Sequence, residues 1–169
     1  MRPADLPAVT APLGRGDEWL SARLARLPAG RWMVAARALS TLGNAPVAGA
    51  MVWAATTRHG RPARRPLVVL ATGVAVQRLA AAVVDRRRPP RDRWRVRPGG
   101  PSMPSGHAAT AALAAGLVAP DSPAGYPVAA AIGASRVLLG VHWPSDVLAG
   151  LVYAAAWARL TRPIARHPE

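Results

Sequence analysis

Cysteine, phenylalanine and lysine are all absent from this chain of 169 residues. Without cysteine there is no disulfide framework, no thiolate metal site and no thiol nucleophile. Acid is scarce as well: 8 Asp and Glu stand against 22 basic residues, every one an arginine, leaving a formal net charge of +14. Glycine and proline (15 and 18) are too few, and the hydrophobic share of 51% too high, for a disordered or low-complexity chain. The length suits one domain. What remains is an apolar, alanine-rich and strongly basic protein, and the question is what so much arginine is for.

Two classes fit that charge: a nucleic-acid binder that neutralises phosphates, or a membrane protein whose arginines flank apolar segments. Position along the chain separates them. Residues 39–57 carry no charge at all, close to the ~20 residues needed to span a bilayer. Residues 67–84 form a second apolar run, broken only by Gln77 and Arg78, and shorter runs follow at 108–120, 128–141 and 147–160. Most charges lie between the runs. The expected fold is therefore all-α: an integral-membrane bundle of about five transmembrane helices, with no nucleic-acid partner. A soluble basic binding protein is the competing reading; high salt without detergent would extract it.

The first sixteen residues lack a continuous apolar core, so no cleavable signal peptide is expected. Residues 17–37, with Trp19, Leu20, Leu24 and Leu27 around Arg23 and Arg26, have the spacing of an amphipathic interfacial helix. Asp17 is placed to cap it and Pro28 to end it. The expected organisation is a tail and interfacial helix over 1–37, a transmembrane domain over 38–163 and a short tail over 164–169. His59 and His167 are assigned to loops. The six tryptophans read as interfacial anchors or packing residues; Trp94 and Trp143 are candidates to line a lipid access route.

Helix parity yields a site. If the second run ends at the top of the membrane, the long loop 85–107 lies on top, and the fourth run returns there before the fifth begins. Arg88, Ser105, His107, Arg136, His142 and Asp146 then share one membrane edge, in the composition of a phosphate site. Pro104-Ser105-Gly106-His107 opens a helix, where unpaired backbone N–H groups favour an anion. Gly106 allows close approach and Ser105 adds a hydroxyl. Arg88 and Arg136 offer forked donors to phosphate oxygens. Asp146, four residues after His142, is spaced to hold its imidazole in one tautomer. Two histidines near one phosphate can divide nucleophile and general acid between them.

These residues carry a resemblance. Pro104-Ser105-Gly106-His107 and Ser135-Arg136-x5-His142-x3-Asp146 are similar to two motifs of the type-2 phosphatidic-acid phosphatase superfamily, whose members include membrane lipid phosphatases and vanadium haloperoxidases. Arg88-Pro89 matches the end of a third, Lys-x6-Arg-Pro. The lysine of that motif falls on Ala81 here; Arg78, one turn earlier, is a possible substitute, with Arg86, Arg87 and Arg91 as rivals. The resemblance implies that His142 attacks phosphorus to form a phosphohistidine, oriented by Asp146. It implies that His107 protonates the leaving oxygen and then activates water. Arg88, Arg136, Ser105 and the Gly106 N–H would stabilise the phosphoryl oxygens, with neither metal nor cofactor.

A site at the membrane edge implies a lipid phosphate whose tail stays in the bilayer. The best fit is a polyprenyl substrate, undecaprenyl diphosphate or decaprenylphosphoryl-ribose 5-phosphate; glycerolipid phosphates also suit the site. The alternative is a catalytically silent relative that binds or transports polyprenyl phosphates, motivated by Ala81. The expected location is a bacterial plasma (inner) membrane, crossed several times. Thirteen arginines on top against seven below point to a cytoplasmic active face. Oligomeric state leaves no mark in the sequence.

Overall fold

A computed structural model describes residues 11–28, 30–120 and 122–166. Among them are seven α-helices, one 3-10 turn and no strand: α1 (Ala11–Ala25), α2 (Arg31–Leu42), α3 (Ala45–Arg58), α4 (Arg64–Val84), α5 (Gly106–Val118), α6 (Gly125–Leu138) and α7 (Pro144–Arg166), with the 3-10 turn at Arg91–Arg93. Helices α3–α7 are the expected bundle of five. α5 is its axis, packed against α3, α4, α6 and α7. Every residue from Ala108 to Ala114 is buried, so this helix is apolar on all sides, and its alanines let four neighbours approach closely.

The outer surface of the bundle is apolar too. Leu79 and Val83 on α4, Leu148, Val152 and Leu160 on α7, and Trp53 on α3 are exposed, Val83 by 81%. A belt of this kind is stable against lipid and unfavourable against water. Among the described residues, α4 is the one helix both long and apolar enough to cross a bilayer by itself. Helices α3, α5 and α6, at 13 or 14 residues, rise only about 20 Å, short of the ~30 Å hydrocarbon core.

Three expectations are corrected. The amphipathic helix expected to start at Asp17 begins earlier, as α1 at Ala11; it stops at Ala25, before Pro28 as expected, and a second helix, α2, follows from Arg31. Asp17 does not cap its own helix: it lies inside α1, 4% exposed, facing the bundle. The uncharged run 39–57 is also divided. α2 ends at Leu42, Gly43 and Asn44 turn the chain, and α3 starts at Ala45 with Pro46 in its first turn. The turn is tight for a reason: a Cβ on Gly43 would lie 3.0 Å from His107 Cβ and 2.8 Å from Ile132 Cγ2.

Both N-terminal helices lie over the active-site end of the bundle. α1 is fastened by Arg93 to Glu18 (2.5 Å) and Ser21 (3.2 Å), and by Arg95 to the Ala25 carbonyl (3.3 Å). Trp32, Met33 and Ala36 of α2 pack with Trp94, Val96, Leu139 and Val141. The long loop 85–105 is thus a packed structure. Gly140, at φ +72°, completes it: a Cβ there would lie 2.0 Å from the Arg93 carbonyl oxygen.

Candidate active site

The start of α5, the end of α6 and the start of α7 meet at one point. Ser105 precedes α5, and its N–H donates to the Asp146 carbonyl at 2.9 Å, tying the two helix starts together. Gly150, one turn after Asp146 on α7, makes this possible, since a Cβ there would lie 2.6 Å from the Ser105 carbonyl oxygen. Gln77 of α4 donates to the Pro104 carbonyl at 2.8 Å and holds the loop from the other side. Arg78, Arg88, Ser105, Gly106, His107, Arg136, His142 and Asp146 come together here, from four separate stretches of chain.

His142 is 3% exposed and Asp146 fully buried. His142 Nδ1 faces Asp146 Oδ2 at 3.4 Å, slightly beyond an ordinary hydrogen bond. On the other side of the ring, Nε2 lies 3.1 Å from Arg88 Nη1. Both contacts suit one tautomer, with the proton on Nδ1 toward the carboxylate and the Nε2 lone pair toward the guanidinium. Burial lowers the His142 pKa below the ordinary histidine range; Arg88 and Arg136 push the same way, and Asp146 opposes them. Burial and the two guanidinium groups thus favour the neutral imidazole, and the carboxylate favours the cation.

Two arginines, Arg88 and Arg136, lie close enough to act on that ring. Arg88 spends its remaining donors on backbone carbonyls: Nε on Gly100 (2.9 Å), Nη1 on Val141 (2.7 Å), and Nη2 on Gly99 and Pro101 (both 2.8 Å). Arg136, 6% exposed, donates from Nη1 to Ser40 Oγ at 2.5 Å, while its buried Nε has no partner. Ser105 Oγ is likewise buried without a partner. A cavity of about 400 Å³ opens beside these groups, walled by His107, His142, Arg78, Arg88, Arg136 and the Gly106 backbone, and reaching down to Val74 and Thr110. Among the described residues its wall contains three guanidinium groups and no carboxylate, so it suits an anion and opposes a cation. Its size is that of an ordinary small-molecule pocket.

Ala81 lines this cavity, and so does Arg78. Arg78 has no hydrogen-bond or ion-pair partner among the described residues. Its rivals face elsewhere: Arg86 is turned toward carboxylates, Arg91 lies over the Trp94 ring, and Arg87 is exposed outside the cavity. The downward lean of a helix side chain brings Arg78 into the basin, because the basin reaches below the level of the loops.

Sequence reasoning missed the second partner of Asp146. Arg86 Nη1 donates to Asp146 Oδ1 at 2.7 Å, and Arg86 Nη2 to Asp17 Oδ2 at 2.7 Å. The signal was available: an Arg-Arg-Arg run has three side chains to place and only one was assigned. Trp94 and Trp143 do not line the cavity; their indole N–H groups donate to the carbonyls of Pro89 (2.9 Å) and Arg87 (2.9 Å), and both brace the loop. His167 lies outside the described residues.

A helical bundle with a lipid-facing apolar belt and a buried His–Asp pair on a cationic basin defines a membrane protein that handles phosphate. The PAP2 superfamily profile matches residues 62–167, and the chain belongs to that superfamily. It is 34% identical over 148 residues to decaprenylphosphoryl-5-phosphoribose phosphatase of Mycolicibacterium smegmatis, covering 80% of this chain and 82% of that one. Its fold is similar to that of the transmembrane PAP2-type phosphatidylglycerolphosphate phosphatase from Bacillus subtilis, with a TM-score of 0.72 at 22% identity, over 95% of this chain and 91% of that one. The protein is a membrane lipid phosphatase of this superfamily.

Proposed function

We propose that this enzyme removes the terminal phosphate from a polyprenyl-linked sugar phosphate, with decaprenylphosphoryl-5-phosphoribose as the first substrate to test. The observation that carries this reading is the buried, carboxylate-paired His142 on a basin that, among the described residues, holds a second histidine and three arginines but no carboxylate. The similarity to the mycobacterial phosphatase supports the choice of head group. So does the extent of the cavity beyond the two histidines, where Asn44 and Arg78 offer polar groups to a sugar.

In the proposed mechanism the His142 Nε2 lone pair attacks phosphorus in line with the ester oxygen. The P–O bond to the sugar breaks as the P–N bond forms, and His107 gives its proton to the departing oxygen. His107 then takes a proton from water as water attacks phosphorus, the P–N bond breaks, and inorganic phosphate leaves. Asp146 stabilises the positive charge that the phosphorylated imidazole carries. Arg88, Arg136, Ser105 Oγ and the Gly106 N–H hold the equatorial oxygens, and Arg78 supplies the cation missing at Ala81. Arg136 Nε and Ser105 Oγ suit this task because both are buried with unspent donors. Rate acceleration then comes from positioning and preset charge, as phosphoryl transfer requires.

The proposed location is a bacterial plasma membrane with the basin on the cytoplasmic side. Arg37 of α2 and Arg86, Arg88, Arg93 and Arg95 of the long loop gather at that end, in support of this side. The test of function is phosphate release in EDTA by detergent-purified protein, offered polyprenyl and glycerolipid phosphates beside a His142→Ala control. Release from the polyprenyl sugar phosphate that vanishes in the control is the expected result. Binding without release would overturn it and indicate a silent carrier.

A further inference from the structure

Asp17 is a carboxylate buried in an amphipathic surface helix, and nothing in the proposed mechanism calls for it. It is 4% exposed and fully engaged: Oδ2 accepts from Arg86 Nη2 at 2.7 Å and from the Ser145 hydroxyl, and Oδ1 accepts from the Ser145 N–H at 2.9 Å. Arg86, 13% exposed, lies between this group and Asp146, and its Nη1 also donates to Ser145 Oγ at 2.6 Å. Asp146 in turn divides its oxygens. Oδ1 takes Arg86, while Oδ2 takes the Trp143 N–H at 2.8 Å and faces His142 Nδ1. The sequence is unbroken from α1 to the ring: Asp17, Arg86, Asp146, His142.

The charges explain why two carboxylates are needed. An arginine paired with Asp146 alone would cancel it, leaving no net charge to favour a cationic imidazole. With Asp17 included, the three groups carry one net negative charge, and Asp146 retains its pull on His142. We propose that Asp17 is a positioning residue of the phosphatase reaction: by taking up half of Arg86, it keeps Asp146 oriented and electrostatically available to His142. This inference rests on the assignment of His142 as nucleophile. It gives α1 a part in the chemistry, although the helix does not touch the basin.

The variants Asp17→Asn, Asp17→Glu and Asp17→Asn/Arg86→Met are compared with wild type in detergent, with thermal melting to verify folding. A charge role predicts that D17N loses about tenfold in kcat with KM changed less than twofold. It predicts that D17E keeps more kcat than D17N, and that the double variant recovers kcat toward wild type, since removing both charges restores one net negative charge beside His142. A purely structural role predicts the reverse order: D17E worse than D17N in so tight a site, and the double variant worst. That order overturns the proposal, as would unchanged kcat in D17N or loss of fold in all three variants.

A second arm needs no turnover. In protein labelled with 15N-histidine, the His142 signal is assigned by its loss in His142→Ala. The charged and titratable groups facing that ring are Asp146 from α7, Arg88 from the loop, Arg136 from α6 and His107 from α5. D17N leaves these in place and is expected to shift the midpoint of His142 titration downward; an unmoved midpoint overturns the proposal. Wild type that releases no phosphate would instead defeat the functional reading, and this arm would still decide the role of Asp17.

Discussion

Arg88 Nη1 stands 3.1 Å from His142 Nε2, on the atom of the ring that points away from Asp146. The same guanidinium is held by four carbonyls from residues 99–101 and 141, so the cation is fixed before any substrate arrives. A preset donor costs no reorganisation when charge develops on the phosphoryl group.

Lysine at this position keeps the charge and loses the fork. Arg88→Lys is expected to lower kcat/KM by about 10²–10³, the usual effect of deleting one such donor, because a single ammonium cannot reach His142 and four carbonyls together. The released loop 99–101 is expected to exchange its amide hydrogens faster. Steady-state kinetics and hydrogen exchange of R88K check both; kcat/KM within threefold of wild type would show that charge alone suffices.

The proposed nucleophile, His142, must be neutral to attack, and burial above all holds its pKa below the ordinary histidine range. Its protonation therefore falls at lower pH than for a free histidine, and kcat/KM is expected to persist below pH ~6.5. Stability has the same sign. The unfolded chain takes up the proton first, so this contribution is complete above about pH 6.5 and is lost as pH falls toward the folded-state pKa. Melting temperatures of wild type and His142→Gln between pH 7.5 and 5 read it out: the wild type should lose more over that range.

Arg78 and Ala81 offer an exchange. Arg78→Ala is expected to reduce kcat/KM about tenfold to a hundredfold, the worth of a hydrogen bond to a charged group. Adding Ala81→Lys to that variant should restore part of the loss, because position 81 borders the same basin. If R78A turns over normally, the basin does not need a third cation and the motif lysine has no stand-in here.

Much of this site was legible because its residues lie in two short stretches whose spacing the chemistry dictates. Residues 104–107 begin a helix and 136–146 cross one turn between helices, and counting apolar runs was enough to put both at the same end. The break at Gly43 and the burial of Asp17 were not legible in that way. Gly43-Asn44-Ala45-Pro46 has the composition of a helix stop and start, yet counting uncharged residues over 39–57 hides it. Asp17 looked like a cap because a carboxylate at the start of an amphipathic pattern commonly is one. Its true partners, Arg86 and Ser145, are 69 and 128 residues away, and only packing brings them together.

The closeness of α7 to α5 supports the last expectation. Gly150 meets the Ser105 carbonyl oxygen, so a methyl group there must push α7 off the start of α5, where Ser105 N–H bonds the Asp146 carbonyl. Gly150→Ala is expected to cost about 1–3 kcal/mol of stability, the usual range for overpacking, and to lower kcat further by displacing Asp146 from His142. Gly49→Ala on α3 is the control. A Cβ at Gly49 meets nothing within 4 Å, and alanine is the better helix former by up to ~1 kcal/mol. Thermal melting and kcat of the two variants should move apart, G49A equal to or above wild type and G150A below on both measures. Equal behaviour would mean that the α5–α7 contact yields without disturbing the site.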